Sequence, residues 1–192
     1  MKHFVIIFSL LLFSFHAVAQ AVYVDNGISI SHLNKMYDEN LSRYSLEMGV
    51  NYLERDWFFL SSGLGYQQMG GAFSYLQIDN IGSGVEMKEK AMVKYISLNT
   101  LMNLKLENEK WLCYLGVGPS LYVNVDDDRF SSYAEAKSVV AGLKTTVGAR
   151  YKFDRMWLGV NFSYLPCFGD LLETTSQVTN FGIGLSIGYF LR

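Results

Sequence analysis

Charge is scarce in this sequence, and so are proline, cysteine and histidine. Only 18% of the 192 residues are charged, against about 25% in an ordinary soluble domain. The formal net charge is -2 and no cluster of Lys or Arg occurs, which excludes a nucleic-acid-binding surface. No apolar run reaches the roughly 20 residues that a membrane-spanning helix requires. There is no phosphate-cradling glycine loop, no zinc-ligand spacing and no nucleophile elbow, so no cofactor and no metal are expected. The chain has three histidines, His3, His16 and His32, and the first two lie in a segment that reads as a leader.

That leader spans residues 1–19. Lys2 supplies a positive start, Phe4 to Phe15 form an apolar run, and Ala17-Val18-Ala19 places small residues where a signal peptidase reads. Cleavage after Ala19 leaves residues 20–192 as one domain. No Cys stands at the cut, so a lipoprotein anchor is not expected.

Aromatic residues make up 15% of the chain, and 17 glycines are mixed with many Tyr, Phe, Val and Ile, a composition that favours strands. Eight strands are predicted, at about 22–32, 42–54, 57–69, 90–106, 110–125, 137–153, 156–165 and 178–191. In the second, Tyr44, Leu46, Met48, Val50 and Tyr52 alternate with Arg43, Ser45, Glu47, Gly49 and Asn51. In the last, Phe181, Ile183, Leu185, Ile187 and Tyr189 alternate with Asn180, Gly182, Gly184, Ser186 and Gly188. A helix cannot keep such a partition, because its side chains repeat every 3.6 residues. The connections alternate too. Tight charged turns at Glu54-Arg55-Asp56, Glu107 to Lys110 and Asp154-Arg155 separate long polar connections near 33–41, 70–89, 126–136 and 166–177. Short turns on one rim and long loops on the other describe a transmembrane barrel.

The polar face discriminates this from a soluble barrel. It holds mostly Gly, Ser, Asn and Gln, which suit a crowded interior, whereas a solvated sheet surface would carry long charged chains. The expected fold is all-β: an eight-stranded antiparallel up-and-down transmembrane β-barrel whose apolar face meets lipid and whose closed ladder satisfies every backbone group. Trp57, Trp111 and Trp157 each follow a tight turn, and with Tyr189 they are expected as interfacial aromatics, although strict alternation puts Trp57 and Trp157 on the polar-face parity. In this topology Cys113 and Cys167 lie at opposite ends of the barrel, too far apart for a disulfide, so two free thiols are expected.

Several segments resemble a known family. The leader end Ala17-Val18-Ala19-Gln20, Gly63-Leu64-Gly65-Tyr66, Tyr95-Ile96-Ser97-Leu98, Leu115 to Pro119 and the terminal Gly188 to Arg192 are similar to the PorT-like outer-membrane β-barrel proteins of Bacteroidota. The resemblance covers essentially the whole mature chain and rests on glycine, aromatic and turn positions, so what it implies is the fold and the cell outer membrane.

An eight-stranded barrel is filled by side chains. The inward parity carries a candidate lumen charge network of Arg43, Glu47, Lys105, Lys144 and Arg150, with Lys152 at the rim. A buried charge demands a partner, so Glu47 is expected to pair with Lys144 or Arg150. Asp126-Asp127-Asp128 lacks the spaced ligands and glycine of a calcium loop and reads as a solvated acidic loop. His32 has Ser31 beside it in sequence but on the opposite strand face, a poor arrangement for nucleophilic catalysis. The leading expectation is a non-enzymatic outer-membrane protein anchored by its barrel. Its partners would be outer-membrane lipid, the barrel assembly machinery, and a surface protein or glycan met by loops 70–89 and 126–136. A narrow channel for small solutes and a lipid-modifying surface enzyme are the alternatives.

Overall fold

The computed structural model describes residues 19–33, 39–78, 84–128, 137–170 and 177–191. They form eight strands: β1 (Ala19–Leu33), β2 (Glu39–Tyr52), β3 (Phe58–Ile78), β4 (Gly84–Glu107), β5 (Trp111–Asp128), β6 (Val139–Phe153), β7 (Met156–Asp170) and β8 (Gln177–Phe190). Each strand pairs antiparallel with its sequence neighbours, and β8 closes the ring on β1. Register partners leave β2 at Tyr52 and run through Leu60, Met102, Val117, Thr145, Tyr164, Phe181 and Ile30. They return to β2 at Ser42, a stagger of ten residues. For eight strands this stagger tilts the strands by about 40° from the barrel axis.

The tight connections are built from local chemistry. Asn108 Oδ1 accepts from the N–H groups of Lys110 at 3.0 Å and Trp111 at 2.7 Å, holding the β4–β5 turn as an Asx turn does. Leu53 and Asp154, at φ 53° and 54°, bend the chain through the left-handed region in the other two turns.

On the long-loop side the strands outrun their expected ends. The stretch 70–89 is largely strand rather than loop, because β3 and β4 keep one unbroken register from Phe58↔Leu104 to Ile78↔Gly84. Residues such as Phe73, Tyr75, Ile78 and Val85 favour extended backbone, and mutual pairing satisfies the backbone groups that face each other. β5 likewise continues to Asp128 and β7 to Asp170. Residues 34–38, 129–136 and 171–176, in the other long connections, lie outside the described residues. So do residues 1–18 of the expected leader, while Ala19 opens β1.

Alternation sorts the side chains as the pattern demands. Ile28, Met48, Leu98, Leu115, Phe162 and Ile183 face outward, each 48–56% exposed. A continuous apolar exterior of this kind is foreign to soluble monomers and belongs in lipid. Both cysteines are free, Cys113 exposed and Cys167 buried.

Candidate functional site

The polar chemistry of the described residues is concentrated in the lumen. At its centre stands Glu47, 7% exposed. Its Oε2 accepts from Lys144 Nζ at 2.6 Å and from Asn99 Nδ2 at 2.6 Å. Its Oε1 accepts from the Tyr23 hydroxyl at 3.1 Å. Ser120 Oγ donates to Asn99 Oδ1 and so fixes the amide that faces the carboxylate. β1, β2, β4, β5 and β6 each contribute one residue, which is possible because every second residue of each strand points to the barrel axis. A cavity of about 30 Å³ adjoins this group, lined by Asp25, Glu47, Gln67, Lys144, Asn161 and Ser163 among others. That is room for a water molecule or two, not for a permeating solute.

The other expected network members lie elsewhere. The guanidinium of Arg150 stacks on three rings, 4.4 Å from the centroid of Tyr114, 4.9 Å from Trp157 and 5.2 Å from Phe59. Stacking of this kind stabilises a guanidinium away from water. Lys105 sits at the short-turn rim, where Nζ reaches Glu54 at 2.7 Å and Glu107 at 2.5 Å, and Lys152 reaches the same Glu107 at 2.7 Å. These pairs tie the first two short turns and the end of β6 together. Arg43, toward the opposite end, donates to Met92 Sδ at 3.4 Å and to Ser42 O at 3.1 Å. The five residues therefore make separate groups rather than one network, because the strand stagger sets them at different heights.

Trp157 corrects the expectation of an interfacial ring. It is 1% exposed and lies inside the barrel with Ala21 and Tyr23, its ring centroid 4.9 Å from Phe190. Its parity on β7 is inward, and Gly188, directly opposite on β8, leaves the space: a Cβ there would overlap the indole. Trp57 and Trp111 remain at the rim, 58% and 50% exposed, and Tyr189 is 40% exposed on the outer face. Trp111 meets Tyr151 edge-to-face at 5.0 Å.

Sequence reasoning missed how the lumen is closed. Phe59, Leu112 and Tyr114 form one apolar cluster near the short-turn end, beside Ala21, Tyr23 and Trp157. Toward the other end Met69, Val93, Tyr95, Tyr122, Leu165 and Val178 are all at most 1% exposed, with Tyr95 and Tyr122 packed edge-to-face at 6.2 Å. The polar group around Glu47 lies between two apolar layers. Only the inward parity of these residues could have signalled it. His32 bonds through Nδ1 to Asn40 Oδ1 at 2.8 Å, and Asp126 pairs with Lys94 at 2.6 Å.

No model of a known family matches this chain, and no curated protein does. Solved structures do. Neisserial surface protein A is similar with a TM-score of 0.60 at 14% identity, over 89% of this chain and 96% of that one. Outer membrane protein OprG from Pseudomonas aeruginosa is similar with a TM-score of 0.51 at 13% identity, over 90% and 97% respectively. The fold is that of an outer-membrane β-barrel. At such identities the likeness is one of fold alone, and it agrees with the apolar exterior. The barrel stands in a bilayer with its filled lumen along the membrane normal.

Proposed function

We propose that this barrel is a non-enzymatic anchor in the outer membrane that holds recognition elements at the cell surface. The observation that carries the reading is the filled lumen: two apolar layers flank a neutralised Glu47–Lys144 pair, so the interior offers support rather than passage. The chemistry left for contact with partners then lies on the rim of the long connections, above all on the extended β3–β4 hairpin. A surface protein or a glycan would be met there and by residues 126–136, with outer-membrane lipid around the barrel and the barrel assembly machinery needed for its insertion. Membership of the PorT-like group, implied by the glycine and aromatic positions, fits the same role. Planar-bilayer recording tests it: the purified protein is expected to give no steady conductance steps. Reproducible steps would favour the solute-channel reading instead.

A further inference from the structure

We propose that a trough on the outer face of β4 to β7 is a seat for one acyl chain of a phospholipid, held more firmly than the lipid around it. The seat goes beyond the anchor reading and depends on the membrane placement alone, since it stands whether or not the lumen conducts. The trough has a volume of about 450 Å³, within the range of roughly 300–1,000 Å³ usual for small-molecule sites. It is lined mainly by apolar side chains that strand alternation turns outward.

Two register rows build it. Leu106, Cys113, Ala149 and Val160 are paired in turn across the four strands. Two residues farther from the short turns, Leu104, Leu115, Val147 and Phe162 are paired in the same way. In the first row Leu106 and Val160 are large and exposed, whereas Cys113 and Ala149 between them are small. These two side chains make the dip, and Leu115 and Val147 stand above it on one side. On the other side the next outward row holds Trp111, Tyr151 and Leu158, with Trp111 and Tyr151 edge-to-face at 5.0 Å. Trp111 and Leu115 lie four residues apart, about 13 Å along the strand. Once their side chains are allowed for, that gap admits one hydrocarbon chain but not a strand, which needs about 10 Å of clearance to a facing sheet.

The surroundings choose the occupant. The trough is continuous with the apolar exterior that stands in the bilayer, so hydrocarbon reaches it directly. Its depth suits the upper part of a lipid chain. Trp and Tyr mark the headgroup level, and two residues of strand tilted by about 40° put Cys113 and Ala149 roughly 5 Å inside it. Lys110, exposed on the β4–β5 turn beside Trp111, supplies a cation at the height of a lipid phosphate. Between lipid and an apolar wall there is no hydrophobic gain, so preference comes from close packing. A chain on a convex wall touches one side only, whereas in the trough it touches the floor and both flanks, and the many small contacts add up. A second barrel is itself convex and would bridge the trough without filling it, leaving a void that close packing disfavours.

The test titrates the whole protein, in mild detergent, with dioleoyl phosphatidylethanolamine and counts bound lipids by native mass spectrometry. One lipid is expected to bind about tenfold more tightly than those that follow. Cys113→Leu combined with Ala149→Leu fills the trough from outward positions and is expected to remove that first step. Ala141→Leu, an outward change on the same strand as Ala149, is expected to leave it unchanged. Each single change at Cys113 or Ala149 is expected to weaken the first step, which keeps the test open should the double variant fail to give the compact gel band of a folded barrel. Dioleoylglycerol, with the same chains and no phosphate, is expected to bind more weakly. A first lipid no tighter than the rest, folded variants at Cys113 and Ala149 that bind as the wild type does, or an equal loss in Ala141→Leu would each overturn the seat. Equal binding of dioleoylglycerol would overturn the phospholipid as its occupant.

Discussion

Replacing Glu47 by Ala is expected to destabilise the barrel by about 4 kcal/mol. The carboxylate is the sole anion bonded to Lys144 among the described residues, at 2.6 Å, and both residues are 7% exposed. Removing one partner of a buried ion pair leaves the other charge uncompensated, at a cost of roughly 3–5 kcal/mol. Asn99 Nδ2 and the Tyr23 hydroxyl lose their acceptor as well, and each orphaned donor adds up to about 1–3 kcal/mol where water cannot reach it. Water entering the space left by the side chain offsets part of this, which holds the estimate near the ion-pair figure. The double substitution Glu47→Gln with Lys144→Met removes both charges at nearly constant volume and is expected within about 1 kcal/mol of the parent. Equilibrium urea unfolding in phospholipid vesicles, followed by tryptophan fluorescence and gel mobility, measures both. A loss below about 1 kcal/mol in Glu47→Ala, or a double variant as unstable as the two single changes combined, would refute the argument that the pair is a closed, water-poor unit.

Three further outcomes follow from the same geometry. Gly188→Val places side-chain atoms where the Trp157 ring lies and is expected to cost about 2–3 kcal/mol, read as a lower temperature at which the compact band disappears from unboiled gels. Leu53→Gly is expected to raise stability by about 1 kcal/mol, because Leu53 holds φ 53° while 46% exposed and glycine adopts that backbone without strain; an unchanged or lowered urea midpoint would contradict this. Cys113 faces outward and Cys167 is buried, so a lipid-soluble maleimide should modify one thiol in the folded protein and two after unfolding, as counted by mass spectrometry.

The fold was legible because a membrane barrel writes itself with period two. Once one face of β8 reads Phe181, Ile183, Leu185, Ile187 and the other Gly182, Gly184, Ser186, Gly188, pairing and closure follow from the need to satisfy the backbone in lipid. Strand ends were less legible. Composition at 70–78 mixes glycines with Phe, Tyr and Ile, and only the pairing partner decides whether such a stretch is loop or ladder. Trp157 shows a related limit: the rule that tryptophans sit at interfaces and the rule of alternation conflicted, and alternation won because Gly188 left room for the ring. The Glu47–Lys144 contact joins residues 97 apart in sequence and was within reach of parity and strand order alone. The aromatic stack on Arg150 was not, since it depends on the stagger of β3, β5, β6 and β7.

Strand length carries the last step. Crossing a bilayer takes about 9–11 tilted residues, and β2 and β8, at 14 each, already exceed that. β3 and β4 have 21 and 24 residues, a surplus that the membrane does not require. Nor does the lumen, where Tyr95 and Tyr122 pack edge-to-face below the last described β4–β5 pair, Met92↔Asp128. Ordering each of these extra residues opposes folding by about 1–2 kcal/mol of backbone entropy. A ladder kept at such expense on one side of the barrel makes the β3–β4 hairpin, rather than the interior, the place to look for function.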